Sequence, residues 1–250
     1  MSFKDHFSGH AAHYAQARPT YPEALFARLA ALAPARDRCW DAGCGNGQAS
    51  LALAEAFAAV HASDPSAEQI ANAPALPRVC YAVERAEDCS LPDRSVDLVV
   101  IAQALHWCEV DAFHAEARRV LRPGGVIAEI GYARSSVDAA VDAVYAHLYD
   151  DLTAPYWPPE RAHIDRHYAD LPFPFEPLDL GPLPPMRQRW TLGQYLAYLD
   201  SWSAVARYRR QHGHSPIDPV RAAFAAAWGD PDEPREVRWD LFVRAGRVVA

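Results

Sequence analysis

Asp41-Ala42-Gly43-Cys44-Gly45-Asn46-Gly47 reads D-x-G-x-G-x-G, and the fold turns on it. An apolar lead-in with strand character, Cys39-Trp40, runs into it, and a helical pattern from Gln48 to Phe57 runs out. Glycines at alternate positions remove the Cβ atoms from one side of a turn. The backbone can then take unusual dihedrals and let a ligand lie against it. In a strand–loop–helix unit this is how a nucleotide-like cofactor is seated.

The spacing narrows the choice of cofactor. A dinucleotide fingerprint, G-x-G-x-x-G, would need its third glycine at position 48, where the chain has Gln48. Asp41 stands two residues before the first glycine. A carboxylate there is awkward for a pyrophosphate, which seeks free N–H groups and positive charge at a helix start. It suits a cofactor with an ammonium group. S-adenosylmethionine carries an ammonium and a sulfonium and no phosphate. Gln48 and Asp41 together disfavour an NAD-linked oxidoreductase. A protein that binds the sulfonium cofactor without transferring its methyl group stays open as an alternative.

The flanking sequence agrees. A second apolar run, Ala58-Ala59-Val60-His61-Ala62, ends at Ser63-Asp64-Pro65, with Asp64 17 residues after Gly47. An acid at that strand end can accept both hydroxyls of a ribose. Glu84-Arg85-Ala86-Glu87-Asp88, the apolar run Val96-Asp97-Leu98-Val99-Val100-Ile101, Ala104-Leu105-His106-Trp107 and Arg119-Val120-Leu121-Arg122-Pro123-Gly124-Gly125 follow. Residues 36 to 132 as a set resemble the Rossmann-like (class I) S-adenosylmethionine-dependent methyltransferases, in the small-molecule branch called type 11. Within it the chain is most similar to the trans-aconitate methyltransferase-like group. That finer likeness rests on Tyr14-x-x-x-Arg18-Pro19-x-Tyr21-Pro22, Leu105-His106-Trp107 and Ser201-Trp202-Ser203.

The resemblance implies roles. Asp41 and the loop Gly43, Cys44, Gly45 and Gly47 would hold the methionine end, and Asp64 the ribose. Ala86 and Glu87 would bracket the adenine, although Arg85 stands where many relatives carry an acid. Gln103 would offer its backbone carbonyl to the ammonium. Tyr14 and Arg18 would close on the cofactor carboxylate from an N-terminal lid helix, a bidentate task that suits a guanidinium. His106 and Trp107, just after the fourth strand, are the candidates for positioning the methyl acceptor, with His106 either orienting it or taking its proton.

Order along the chain gives the fold class. Strand and helix patterns alternate: Arg38 to Asp41, Gln48 to Phe57, Ala59 to Ser63, Ala67 to Asn72, Val79 to Val83, Asp97 to Ala102, Asp111 to Leu121 and Val126 to Tyr132. This βαβα order predicts an α/β, doubly wound, mostly parallel sheet covered on both faces. Val137 to Leu152, Glu160 to Tyr168, Leu192 to Trp202 and Val220 to Trp228 read as helices of a cap insertion, and a proline-rich stretch from Pro172 to Pro185 as irregular. Val237 to Val243 reads as a late antiparallel strand. The expected division is one methyltransferase domain over 1–250: N-terminal lid helices (1–34), a cofactor-binding core (35–133), a helical cap with later sheet elements (134–235) and a closing strand (236–250).

Composition bounds the rest. The 250 residues are half hydrophobic, with a formal charge of −8. That acidity speaks against a nucleic-acid partner. So does Gln103-Ala104-Leu105-His106, which stands where methylases of exocyclic base amines carry an Asn/Asp-Pro-Pro-aromatic element. A small-molecule acceptor, reacting at a carboxylate or hydroxyl oxygen, is therefore expected. There is no signal-like N-terminus and no long apolar run, so no membrane span is expected. Five scattered cysteines without a C-x-x-C pair point to the reduced cytoplasm and to no zinc site. Cys44 reads as a small filler. His163-x-x-x-His167 has helix-face spacing for a metal but lacks a third ligand, and His212 and His214 read as loop residues. Oligomeric state is not legible.

Overall fold

A computed structural model of the chain describes residues 18–248. Tyr14 and the first half of the expected lid, residues 1–17, lie outside that range. Pro22 starts the first described helix, α1 (Glu23–Leu32), which buries Leu25, Phe26, Leu29 and Ala30 along one stripe. The parallel core is then β1 (Arg38–Ala42), α2 (Gln48–Ala56), β2 (Ala59–Asp64), α3 (Ala67–Ala71), β3 (Val79–Val83), β4 (Val96–Ala102), a 3₁₀ turn (Leu105–Trp107), α4 (Val110–Val120) and β5 (Leu121–Ser136).

Both faces of the central strands are covered, as their unbroken apolar character requires. Leu98 and Val100 of β4 pack with Leu25, Leu29 and Leu53 on one side. Val99 and Ile101 pack with Trp40, Phe113 and Ala117 on the other. The wholly buried carboxylate of Asp97 accepts the backbone N–H groups of Asp37 and Arg38 at 3.0 and 3.1 Å. It thereby ties the entry of β1 to β4, and Arg122 neutralises it at 2.8 Å.

After β5 come α5 (Ala139–Ala146), a π turn (His147–Leu152), α6 (Arg161–Asp165), β6 (Glu176–Leu178), β7 (Met186–Trp190), α7 (Leu192–Asp200), α8 (Ser203–His212), α9 (Arg221–Trp228) and β8 (Arg235–Arg247). The sheet order is β3-β2-β1-β4-β5-β8-β6, with β7 also pairing β8. The strands from β3 to β5 are parallel, and β8 is antiparallel to β5, β6 and β7. The sheet is therefore α/β and mostly parallel, with the late antiparallel strand where the sequence put it.

Three details differ from the sequence reading. The proline-rich stretch contains β6, and β7 begins directly after it. The helix expected over Glu160 to Tyr168 is only Arg161–Asp165, because His167 and Tyr168 both take positive φ and end it. His212 closes α8 and is no loop residue; Gly213, at φ 77, supplies the left-handed cap. The cap helices enclose an aromatic core in which Tyr195 and Trp239 are fully buried, and Trp239 Nε1 donates to the Tyr198 hydroxyl at 3.0 Å.

Candidate active site

β1 pairs β2 on one side and β4 on the other, so strand order reverses at β1, and a crevice opens past the carboxyl ends there. A cavity of about 360 Å³ lies at this point, a volume of small-molecule size. Among the sequence-chosen residues, Arg18, Asp41, Gly43, Cys44, Gly45, Asp64, Ala86, Glu87, Gln103, His106 and Trp107 all line it. Gly47 sits just behind, at the start of α2.

Gly43 and Gly47 are required by geometry. Both have positive φ, at 64° and 86°. A Cβ on Gly43 would sit 2.6 Å from the Ala104 Cβ, and one on Gly47 would sit 2.5 Å from the Tyr81 hydroxyl. The loop between β1 and α2 is thus pressed against the end of β4, with its backbone towards the cavity. Burial pushes the Cys44 thiol up, helped by Asp41 and Asp64, so it stays protonated and acts as filler.

Two carboxylates meet at this loop. Asp41 is wholly buried. Its Oδ2 accepts the Ser50 hydroxyl at 2.6 Å, while Oδ1 has no hydrogen-bond partner. Burial drives its pKa up to about 7, against the lowering effect of Ser50 and with a smaller push from Asp64. Asp64 Oδ2 accepts the N–H of Gly45 at 2.9 Å, and Oδ1 the N–H of Ser66 at 2.8 Å. Asp64 therefore braces the glycine loop across the strand ends, while Ser66 caps α3 through the N–H of Gln69. Asp64 itself lines the cavity.

Gln103 closes the end of β4 at φ 55; its Nε2 donates to the Tyr132 carbonyl at 3.3 Å, and its Oε1 is buried without a partner. Glu87 accepts Arg85 Nε at 3.2 Å and the Glu109 N–H at 2.8 Å. Its carboxylate thus holds two loops together beside Ala86. Arg18 donates to the Tyr132 hydroxyl at 3.1 Å and to the Ser201 carbonyl at 3.4 Å. It joins the N-terminal side of the cavity to β5 and to the Ser201-Trp202-Ser203 corner, where Trp202 and Ser203 also face the cavity.

The opposite wall is one that sequence reasoning left mostly blank. Tyr145, Tyr149, Trp157 and Trp202 form a continuous aromatic surface, with ring centroids 4.7–5.8 Å apart. Arg161 lies over it, 5.5 Å from the Trp157 ring and 5.9 Å from the Tyr149 ring. Its one ion pair among the described residues is a long contact of 3.7 Å to Asp165. His106 is buried beside them, 4.8 Å from Trp107. Desolvation, with smaller pushes from Arg161 and His163, depresses its pKa to about 3. Only the density of aromatics in the cap sequence hinted at this wall; Arg161 carried no local signal.

The two histidines of His163-x-x-x-His167 turn to different partners. His163 pairs Asp170 at 3.0 Å, and His167 stacks on Phe242 at 4.6 Å. Among the described residues no group of three or more His, Cys, Asp or Glu side chains could hold a metal ion, and no helix is long and apolar enough to cross a membrane.

Comparison with known proteins bears on the same residues. Positions 40–129 match the family described as "Methyltransferase domain". The chain is similar to the solved structure of a provisionally assigned type II methyltransferase from Anaeromyxobacter dehalogenans: 50% identity, TM-score 0.85, covering 93% of this chain and 98% of that one. It is 30% identical over 234 residues to a Dictyostelium discoideum protein provisionally named a methyltransferase, covering 92% of this chain and 89% of that protein. Over 125 residues, 46% of this chain and 47% of the other, it is 37% identical to a malonyl-[acyl-carrier protein] O-methyltransferase of Dechloromonas aromatica.

Proposed function

This chain belongs to the S-adenosylmethionine-dependent methyltransferases, and we propose that it methylates an oxygen of a small molecule, a carboxylate in preference to a hydroxyl. One observation carries the choice. On the cap side of the cavity a partly buried guanidinium, Arg161, stands beside an imidazole whose pKa lies near 3. A hydroxyl acceptor needs a base, and His106 is far too weak a base near neutrality. A carboxylate is already ionised there, and a cation draws it in. A relative named for methylating an oxygen supports the same reading.

The cofactor supplies a methyl group on a sulfonium with a good leaving thioether. The residues present fit it. The unpartnered, buried Oδ1 of Asp41 would receive its ammonium, and Gln103, whose Oε1 is also buried without a partner, lines the same cavity. The loop Gly43 to Gly47 would lie along the methionine end, and Asp64 would accept ribose hydroxyls. Ala86 and Glu87 would flank the adenine, and Arg18 would pair the carboxylate. What this chain does for the transfer is to align, desolvate and exclude water. Trp107, Tyr149, Trp157 and Trp202 provide the dry wall, and His106 and Arg161 the polar contacts.

We also assign the chain to the trans-aconitate methyltransferase-like group. Arg18, Tyr21, His106, Trp107, Trp202 and Ser203, from all three segments of that likeness, border the one cavity, which supports the assignment. Its five cysteines are free, which suits the reduced cytoplasm.

Incubation with methyl-labelled cofactor and a panel of small carboxylic and hydroxy acids tests the reading. A base-labile label, released as methanol, is the expected result, since an ester hydrolyses and an ether does not. Base-stable label on a hydroxyl would overturn the carboxylate assignment.

A further inference from the structure

Tyr168 has no exposed surface, and its hydroxyl lies 3.2 Å from His106 Nδ1. Among the described residues neither group has another side-chain hydrogen bond. Two arrangements are open to the pair. If Nδ1–H donates, the phenol proton is buried with no acceptor. If the phenol donates, every buried group is satisfied, and the imidazole proton sits on Nε2, away from Tyr168. Burial beside Arg161 disfavours the doubly protonated ring.

Tyr168 is held there against a local cost. It and His167 are consecutive non-glycine residues in the left-handed region, at φ 59° and 52°, a conformation that persists only when surroundings over-determine it. Here the determinant is Arg244 of β8. Its Nη1 donates to the carbonyls of Tyr168 and Leu171 at 2.6 and 2.8 Å, and its Nη2 to that of Pro172 at 3.2 Å. Its Nε donates to Glu129 at 2.7 Å. Glu129, wholly buried on β5, faces Arg244 in register and accepts His114 Nε2 at 2.7 Å with its other oxygen. Phe242 backs the turn, with the Tyr168 ring edge-on at 5.3 Å.

We infer that Tyr168, clamped by the Arg244–Glu129 pair, fixes His106 as its Nε2–H tautomer, so that the imidazole offers the acceptor a hydrogen-bond donor and takes no proton from it. This rests on the methyltransferase reading of the cavity and deepens it. The acceptor must present a hydrogen-bond-accepting oxygen at His106, beside the charge of Arg161. Tyr168 and Arg244 are positioning residues, acting through His106.

Imidazole ¹⁵N resonances of the labelled full chain report the tautomer directly, and His106→Gln identifies the signal. The expected wild-type pattern is Nε2–H, unchanged from about pH 6 to 8. In Tyr168→Phe, which removes one oxygen and no bulk, the Nδ1 resonance should move towards that of an unbonded imine nitrogen. Arg244→Gln should move it the same way if that variant folds. An Nδ1–H tautomer or an imidazolium in the wild type, or an unchanged resonance in Tyr168→Phe, overturns the inference. Calorimetry with S-adenosylhomocysteine on the same samples separates it from the reading it rests on. Binding with the wrong tautomer refutes the inference alone, whereas the expected tautomer without binding refutes the cofactor site alone.

Discussion

Past the ends of β1 and β2 the cavity wall is mostly backbone: a glycine loop with left-handed dihedrals, braced by Asp64 and backed by the buried Asp41. Across from it, the cap wall is side chain: four aromatic rings, a guanidinium and an imidazole. The first wall is acidic, and its glycine positions leave no room for a Cβ at Gly43 or Gly47. The second is apolar and cationic, and three of its rings, Tyr145, Tyr149 and Trp202, are also part of the aromatic core that packs on β7 and β8. A methyltransferase needs both properties, because the methyl donor is constant and the acceptor is not. Substitutions on the two sides should therefore separate donor binding from acceptor binding.

The largest effect should come from Gly43→Val. The new Cβ collides with Ala104, and a β-branched residue is forced to positive φ. Affinity for S-adenosylhomocysteine should drop at least about a hundredfold, with a stability loss of about 2 kcal/mol or more. Calorimetry and thermal melts check this; near-normal affinity would mean that the loop does not seat the cofactor. Next is Asp64→Ala, which removes charge-assisted hydrogen bonds worth about 1.5–3 kcal/mol each before compensation. Cofactor affinity should fall at least about tenfold. Because Asp64 also braces Gly45 and Ser66, the melting temperature should fall as well. If only the melting temperature falls, Asp64 is a brace and nothing more.

On the cap wall, Arg161→Gln should raise KM for a carboxylate acceptor about tenfold, the loss of about 1.4 kcal/mol of binding. The cofactor dissociation constant should not move. Equal losses for both ligands would erase the distinction between the walls.

The smallest effect concerns pH. Burial raises the folded pKa of Asp41 to about 7. The unliganded fold therefore binds its proton more tightly than the unfolded chain does. Its stabilising share is full below the unfolded pKa, near 4, and is lost as pH rises through 7. An ammonium ligand favours the ionised carboxylate, so cofactor affinity should run the other way. It should fall roughly fivefold between pH 7 and pH 6, with proton release on binding near pH 7. Asp41→Asn should abolish that slope; a slope that survives belongs to another group.

The backbone wall was readable because it is local: Gly43, Gly45, Gly47 and Asp41 fall within seven residues, and each restricts its neighbours by sterics or charge. The Asp64 brace was less so. An acid at a strand end reads as a ribose ligand, whereas its bond to Gly45 crosses from one strand end to the next and leaves no local signal. The cap wall was not readable, because Tyr145, Trp157, Arg161 and Trp202 meet only after the chain has folded around β5 and β8. Tyr168 and Arg244 lie 76 residues apart, and no periodicity connects them. One signal was missed outright. Met186–Trp190 alternates apolar and polar ends with its burial, as an edge strand should, but the prolines before it masked the pattern.

β8 lies inside the sheet, between β5 and β6, and β7 pairs with its first half. Its hydrogen-bonding partner β5 is left waiting for about a hundred residues of intervening chain. During synthesis the long apolar edge of β5 is therefore open while the whole cap is being made, an invitation to pair with another chain. β6 and β7 take their pairing from β8, so neither joins the sheet until that strand arrives. Assembly of the acceptor wall is tied in time to the arrival of residues 235–247, so a ribosome-bound intermediate would hold a formed cofactor loop well before it held a place for the molecule to be methylated.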